Sequence, residues 1–270
     1  MSHPSKGTAL ITGASTGIGA VYAERLARRG YNLILSARDA ARLNALAAQL
    51  RAATGIIVDV LPADLTTRAG RALVEQRLEA DADISLLLNN AGMAATGTLA
   101  ELDPAVIETM IELNVIAVAR LAAAAARAFG ARRQGTIINL ASVLALAPEL
   151  FNGVYSGTKA FVLNLTQSMQ KELTPLGIQV QAVLPGATRT EIWARSGTDI
   201  SKFPAEMLMD VHEMVDAALA GLDMREAVTI PSLPQASDFE ALTQARFALG
   251  PNLSRSQAAA RYNVLAPALS

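Results

Sequence analysis

The feature that most constrains this chain is an alternation along its 270 residues of short, continuously apolar runs with longer segments of helical periodicity. The apolar runs fall at 8–12, 33–35, 56–61, 84–88, 135–140 and 178–184, with 228–230 as a seventh candidate strand. Helical segments intervene at 20–29, 40–53, 67–80, 104–129 and 156–173. A strand that is apolar on both of its sides has to be covered on both faces, and alternation with helices supplies that cover. The expected fold is therefore α/β: a doubly wound, mostly parallel, seven-stranded sheet with helices on both faces. No repeat, low-complexity tract or linker divides the chain, so residues 1–270 read as one domain, with 231–270 as its helical C-terminal extension. In that extension Ser237 with Glu240 and Ser254 with Gln257 have capping-box spacing, so two short helices are expected there.

Composition removes several classes of function. With 51% apolar and 17% charged residues, the chain is not a disordered or solvating segment. Lys and Arg total 23 against 24 Asp and Glu, a formal charge of −1 that gives no support to a nucleic-acid or polybasic membrane partner. The absence of cysteine removes disulfides, thiol nucleophiles and thiolate metal sites. With only His3 and His212 as histidines, no metal centre is expected. The polar start lacks the apolar region of a signal peptide. The longest apolar stretch, 115–131, is interrupted by Arg120 and Arg127 and is too short for a membrane span. A cytoplasmic protein is the expectation.

The turn after the first strand reads Thr12-Gly13-Ala14-Ser15-Thr16-Gly17-Ile18-Gly19. A glycine-rich strand-to-helix turn lets backbone N–H groups reach a phosphate, and the helix dipole adds to the attraction. The same residues match the G-x-S-x-G nucleophile elbow of hydrolases, with Ser15 as nucleophile. That second reading needs a histidine base. His212 lies in 207–219, a helical stretch, and an elbow on the first strand has no earlier strand to supply an oxyanion loop. The Gly-Lys-Ser/Thr ending of a P-loop is missing.

The pattern T-G-x-x-x-G-I-G resembles the cofactor loop of the short-chain dehydrogenase/reductase family, and the resemblance continues in chain order to about Thr190. Asp64 and Leu65 follow the third strand, where the family binds adenine. Asn89-Asn90-Ala91-Gly92 matches the family's NNAG. Asn114 lies in the long helix, Ser142 follows the fifth strand, and Tyr155 with Lys159 forms Y-x-x-x-K. Pro185-Gly186, Thr188 and Thr190 follow the sixth strand as P-G-x-x-x-T. The resemblance implies a Rossmann fold. It also implies a dinucleotide held by Gly13, Ser15, Thr16, Gly17, Ile18, Gly19, Asp64, Leu65, Asn90, Ala91, Gly92, Tyr155, Lys159, Pro185, Gly186, Thr188 and Thr190. The catalytic set it implies is Asn114, Ser142, Tyr155 and Lys159. Lys159 would also hold ribose hydroxyls, and Asn114 would fix a water that relays protons.

Tyr155 and Lys159, four residues apart, share one helix face. A free phenol titrates near ~10, and a neighbouring ammonium is expected to lower that value. The Ser142 hydroxyl suits a developing oxyanion. At the end of the second strand no acid stands at Ala37. Arg38 follows nineteen residues beyond Gly19, where NAD enzymes place an acid. An arginine there, with Ser15 and Ser36 as further donors, favours NADP(H) over NAD(H). Asp39 argues the other way, since a one-residue shift would bring it to the ribose. The expected pocket walls, Met93, Leu144, Phe151 and Trp193, are apolar and carry no anion clamp, which implies a neutral ketone or aldehyde as the small-molecule substrate. Trp193 falls in 191–197, a segment of loop character. The family's habit implies a homodimer or homotetramer. The alternatives are an NAD-dependent alcohol dehydrogenase working oxidatively and a dinucleotide-binding regulator without turnover.

Overall fold

A computed structural model of the chain describes residues 6–263, so His3 and the last seven residues of the expected extension lie outside the described residues. Seven strands form one sheet: β1 (Thr8–Thr12), β2 (Asn32–Ala37), β3 (Val58–Pro62), β4 (Ile84–Asn89), β5 (Gly135–Leu140), β6 (Ile178–Val183) and β7 (Val228–Thr229), in the order β3-β2-β1-β4-β5-β6-β7. Every neighbouring pair is parallel. Parallel neighbours need crossovers, supplied by α1 (Gly17–Arg28), α2 (Ala40–Thr54), α3 (Arg68–Ala80), α4 (Pro104–Ile111), α5 (Val118–Arg132), α6 (Gly153–Leu173) and α8 (Val211–Asp223), with the short α7 (Ile192–Ser196) lying between β6 and α8.

The continuous apolarity of the strands has its reason in the packing. All five residues of β1 are buried. Leu10 joins a core with Val74, Leu78, Leu121 and Phe129 on one face. Its neighbour Ile11 joins a core with Tyr22, Leu26, Leu43 and Leu219 on the other. The order of the strands reverses between β1 and β4, and an open parallel sheet binds ligands in the crevice outside the carboxyl ends at such a point.

Several elements differ from expectation. The helical stretch expected over 104–129 runs to Arg132 and is broken by a π-helical turn, Glu112–Ala117, which carries Asn114. Such turns gather at functional sites. By length and composition alone, the 29 residues Pro104–Arg132 suffice to cross a membrane, which corrects the shorter apolar stretch read at 115–131. Here they pack as a core helix. Leu121, Ala124, Ala125 and Phe129 are buried, while Arg120 and Arg127 pair with Glu75 and Glu79 on α3. Helix α6 starts at Gly153, three residues early, because Asn152 Oδ1 caps it by accepting from the amides of Val154 (2.9 Å) and Tyr155 (3.0 Å). The segment 191–197, of loop character in sequence, folds into α7.

The chain divides into two compact units at Pro231. The second contains α9 (Ala236–Ala248) and two short 3-10 turns, Gly250–Asn252 and Ala260–Tyr262. Ser237 lies inside α9 rather than capping it, since the helix is led by Gln235 without a side-chain cap. Residues 254–257 form no helix, which corrects the second expected one. Capping alone does not nucleate a helix that has no face to bury, and every described residue from 250 onward is exposed.

Leu87, fully buried in β4, is a sensitive probe of this sheet. Leu87→Ala is expected to lower the unfolding free energy by about 2–5 kcal/mol in urea titration, through lost burial and a residual cavity.

Candidate active site

The loop after β1 approaches its neighbours too closely for side chains. A Cβ on Gly13 would stand 2.7 Å from Asn90 Nδ2 and 2.9 Å from Ala91 Cα, and one on Gly19 would strike the Gly13 carbonyl. Gly13 (φ 66°) and Gly17 (φ 57°) both occupy the left-handed region. Asp39, Thr67, Asp103, Asn152 and Asp210 cap their own helices with side chains, whereas Thr16 at the head of α1 places no side-chain bond on that helix's first amides. Those amides, with the glycine cradle before them, are thereby left for an anion. Thr190, from the segment after β6, comes up beside Gly17, where a Cβ would meet it at 3.4 Å. Ser15, Thr16 and Ile18 ride on this turn.

Thr12 and Asn90 stitch β1 to β4 at the reversal. Thr12 Oγ1 donates to the Leu88 carbonyl (3.2 Å) and accepts from the amides of Asn90 (3.0 Å) and Ala91 (3.1 Å). Asn90 Nδ2 donates to the carbonyls of Thr12 (2.8 Å) and Gly13 (3.2 Å). The Asn90 side-chain amide thus braces the turn, and Ala91 and Gly92 continue that edge.

At the second strand, Ser36 is wholly buried, and its hydroxyl has no partner among the described residues. Asp39 faces its own helix: its carboxylate accepts from the Arg42 amide (3.0 Å) and pairs with the Arg42 guanidinium (3.4 Å). Arg38 is exposed. Partial burial works against ionising Asp64, but the Thr66 hydroxyl (2.7 Å) and amide (3.0 Å) and the nearby Arg38 charge outweigh it and hold the carboxyl below its ordinary value.

Beyond the carboxyl ends of β4 and β5 the expected catalytic side chains come together. Ser142, just past β5, donates to the Pro185 carbonyl at 3.4 Å and accepts from the Leu144 amide at 3.2 Å. Tyr155 and Lys159 lie on the first turns of α6. The Lys159 Nζ donates to the Leu140 carbonyl (2.9 Å) and stands 5.7 Å from the centre of the Tyr155 ring, while Phe151 sets its edge on that ring at 5.8 Å. A Cβ on Gly92 would lie 3.2 Å from Asn114 Oδ1 and 3.6 Å from Lys159 Nζ, so this bare stretch of backbone lies against both.

Asn114 is buried, and its amide is fully engaged. Oδ1 accepts from the Met93 amide (2.9 Å), and Nδ2 donates to the Met93 carbonyl (2.8 Å) and to Thr158 Oγ1 (3.1 Å). Thr158 donates in turn to the Tyr155 carbonyl (2.7 Å). The side chain therefore clamps the β4 loop to α6, and the water expected of it would not rest on that amide.

Burial pushes the Tyr155 phenol up to about 12, with the Ser142 hydroxyl pulling the other way, and burial pushes Lys159 down to about 8. The expected lowering of the phenol by the ammonium does not appear in the chain alone, because desolvation outweighs a charge 5.7 Å from the ring.

Of the expected pocket walls, Leu144 bonds to Ser142, Phe151 meets Tyr155, and Met93 is held by Asn114. Trp193 is pinned within its own segment: its indole donates to the Thr188 carbonyl (2.6 Å) and tilts against Phe203 at 5.1 Å. Thr188 donates to the Gly186 carbonyl (3.1 Å), and Thr190 Oγ1 accepts from the Ile192 amide (3.4 Å). Thr96 and Asn152, which sequence reasoning passed over, tie this region together. Thr96 Oγ1 donates to the Ser196 carbonyl (2.8 Å) and Asn152 Nδ2 to the Gly97 carbonyl (2.8 Å). Only Asn152 left a trace in the sequence, as a helix-capping residue type ahead of α6. The hydrolase alternative loses its base. His212 Nδ1 lies 3.4 Å from Arg25, more than two turns along α1 from the glycine loop.

The cradle of glycines, the open start of α1 and the lysine beside Gly92 fit a dinucleotide lying across the sheet's reversal. The family model for short chain dehydrogenases matches residues 7–201. A short-chain dehydrogenase from Sphingobium yanoikuyae, solved in complex with NADPH, is 53% identical with a TM-score of 0.92, over 95% of this chain and 99% of that one. The bulky-bulky ketone specific alcohol dehydrogenase from Comamonas testosteroni is 47% identical with a TM-score of 0.89, over 96% of this chain and 99% of that one. An uncharacterized oxidoreductase of Staphylococcus epidermidis is 30% identical over 85% of this chain and 96% of its own length. With the strand order, the glycine turn and the Ser142–Tyr155–Lys159 cluster on one site, these likenesses make the chain a member of the short-chain dehydrogenase/reductase family, an oxidoreductase acting on small molecules.

Proposed function

We propose that the chain is an NADP(H)-dependent carbonyl reductase that turns a neutral, apolar ketone or aldehyde into the alcohol. The observation that carries the reading is the convergence of Ser142, Tyr155 and Lys159 beyond β5, with the phenol held in its protonated form. When bound, a reduced nicotinamide supplies the hydride. The chain's residues manage the oxygen. The Ser142 hydroxyl has only a long bond to the Pro185 carbonyl (3.4 Å), so a substrate oxygen competes for it and gains a donor as negative charge develops. Tyr155 then gives its proton to that oxygen. An alkoxide is a much stronger base than a phenolate, so the transfer runs downhill even from a phenol raised to about 12. The phenolate left behind is balanced by the Lys159 ammonium, which the Leu140 carbonyl holds in place. Asn114 positions this group through Thr158 and Met93.

The preference for NADP(H) rests on Arg38 and Asp39 together. Asp39, the acid that follows Arg38 at the end of β2, is turned into its own helix, while the exposed guanidinium lies close enough to influence Asp64. An arginine suits a 2′-phosphate, and an acid free to bind the 2′-hydroxyl is missing. The likeness to the NADPH-bound protein of Sphingobium yanoikuyae supports the same choice. The apolar walls Met93, Leu144, Phe151 and Trp193, with the likeness to the bulky-bulky ketone specific enzyme of Comamonas testosteroni, support a ketone flanked by two large groups. Ile111 and Phe161 are exposed on the helical stretches that carry Asn114 and Tyr155, as suits helices that pack on a second copy.

Three measurements test this reading. Tyr155→Phe is expected to abolish NADPH consumption with aromatic ketones while the binding-induced change in NADPH fluorescence persists; undiminished turnover refutes the proton donor. Arg38→Ala is expected to raise the KM for NADPH about tenfold or more and to leave that for NADH nearly unchanged; equal effects refute the 2′-phosphate contact.

The third concerns pH. Lys159 falls from 10.5 to about 8 on folding, so between those values the folded chain binds fewer protons at this site than the unfolded chain. Stability contributed by this group therefore rises with pH across that window. The melting temperature of the wild type minus that of Lys159→Met is expected to climb from pH 8 to about 10.5. A flat difference contradicts a buried lysine.

A further inference from the structure

One buried cation has no part in the chemistry above. Arg71, in the first turn of α3, is 6% exposed; it and Lys159 are the two charged residues buried among the described residues. Its Nη1 donates to the carbonyls of Leu65 and Thr66, each at 3.0 Å, and pairs with Glu112 Oε2 at 2.5 Å. Leu65 and Thr66 continue the Asp64 loop at the end of β3, and Thr66 is itself bound by the Asp64 carboxylate. Glu112 is the first residue of the π-helical turn, and Asn114 stands two residues further on. A single guanidinium thus joins the loop read as the adenine side of the site to the turn that presents Asn114.

Cohesion alone does not explain this choice of residue. Desolvating a guanidinium costs several kcal/mol before pairing offsets it, and an apolar side chain of similar volume packs such a site at least as well. What an apolar residue lacks is a charged nitrogen that donates to two loop carbonyls and lies in ion-pair contact with a carboxylate on another element. The interruption of the helix supplies the other half of the argument. A π-helical turn is a local rearrangement of the hydrogen-bond ladder, and the Arg71–Glu112 pair clasps it at its first residue.

We propose that Arg71 is a positioning residue that couples the two ends of the dinucleotide site, holding the Asp64–Thr66 loop and the Asn114 turn in one register through Glu112. The inference rests on the reading of those two segments as cofactor-side and catalytic. Loosening the brace frees both at once, weakening dinucleotide binding and misplacing Asn114.

The test uses Glu112→Gln, which keeps the shape and removes the charge, with Arg71→Met as the stronger variant. Amide hydrogen exchange is read on the ligand-free chain at 64–67 and 112–117, the Kd for NADPH by fluorescence, and kcat with a saturating ketone. Glu112→Gln is expected to speed exchange in both segments, raise the Kd about threefold to tenfold and lower kcat. Faster exchange in one segment alone, or a lower melting temperature with Kd and kcat unchanged, overturns the coupling. If Arg71→Met does not fold, Glu112→Gln decides. Exchange needs no ligand, so failure of the wild type to bind NADPH counts against the proposed function and leaves the brace judged on its own.

Discussion

The active site hangs on one bond between a buried ammonium and a strand's last carbonyl. Lys159 Nζ reaches the Leu140 carbonyl at 2.9 Å, and that contact sets where α6 sits against β5. Tyr155, one turn earlier on the same helix face, is thereby carried to Ser142, which leaves the same strand two residues after Leu140. A buried lysine is costly unless its nitrogen is satisfied. Here the cost is limited by the shift of Lys159 to about 8, near the pH at which the group exchanges its proton. The same desolvation that makes the lysine labile makes the tyrosine hard to ionise, so two groups with nearly equal ordinary values are driven apart, the lysine down to about 8 and the phenol up to about 12.

The sheet supplies the rest of the geometry by its reversal between β1 and β4. There the backbones approach so closely that Gly13 and Gly19 have no room for a Cβ, and the polar groups exposed at the strand ends are consumed by Thr12 and Asn90. A buried polar group left unpaired costs free energy, so the threonine and asparagine serve the fold before they serve any ligand. A similar economy governs Asn114: its amide is saturated by Met93 and Thr158, and its contribution to chemistry passes through those neighbours.

Much of this was legible in the residues. Continuous apolarity placed six strands within two residues of their observed ends, because a two-sided burial requirement writes itself into every strand position. The ordered motifs located Ser142, Tyr155 and Lys159, because each follows a strand or shares a helix face at fixed spacing. What stayed hidden had a different physical origin. The π-helical turn at Glu112–Ala117 is a change of hydrogen-bond partner within one helical stretch, which residue types alone do not announce. The brace of Arg71 pairs residues forty-one positions apart, beyond any local pattern. The bonds of the Asn90 side chain to the Thr12 and Gly13 carbonyls, and the burial of Ser36, come from neighbours far away in sequence. The second helix expected after 250 had a capping pattern and no face to bury.

The phenol's shift runs opposite to the one that the neighbouring lysine alone would produce. Spacing on a helix implies that a lysine next to a tyrosine favours the phenolate and leaves the pair able to give or take a proton. The folded chain reverses that sign, since desolvation raises the phenol to about 12 and lowers the lysine that was to offset it. A protonated phenol beside a hydroxyl donor is poised to deliver a proton to an oxygen gaining charge, whereas a base would first have to be made. Oxidation through the same atoms passes through the same ammonium–phenolate pair in reverse, so burial weighs on that state equally in either direction. What desolvation of Tyr155 and Lys159 sets is the resting protonation of the free site: a phenol that keeps its proton beside a lysine that holds its own less tightly.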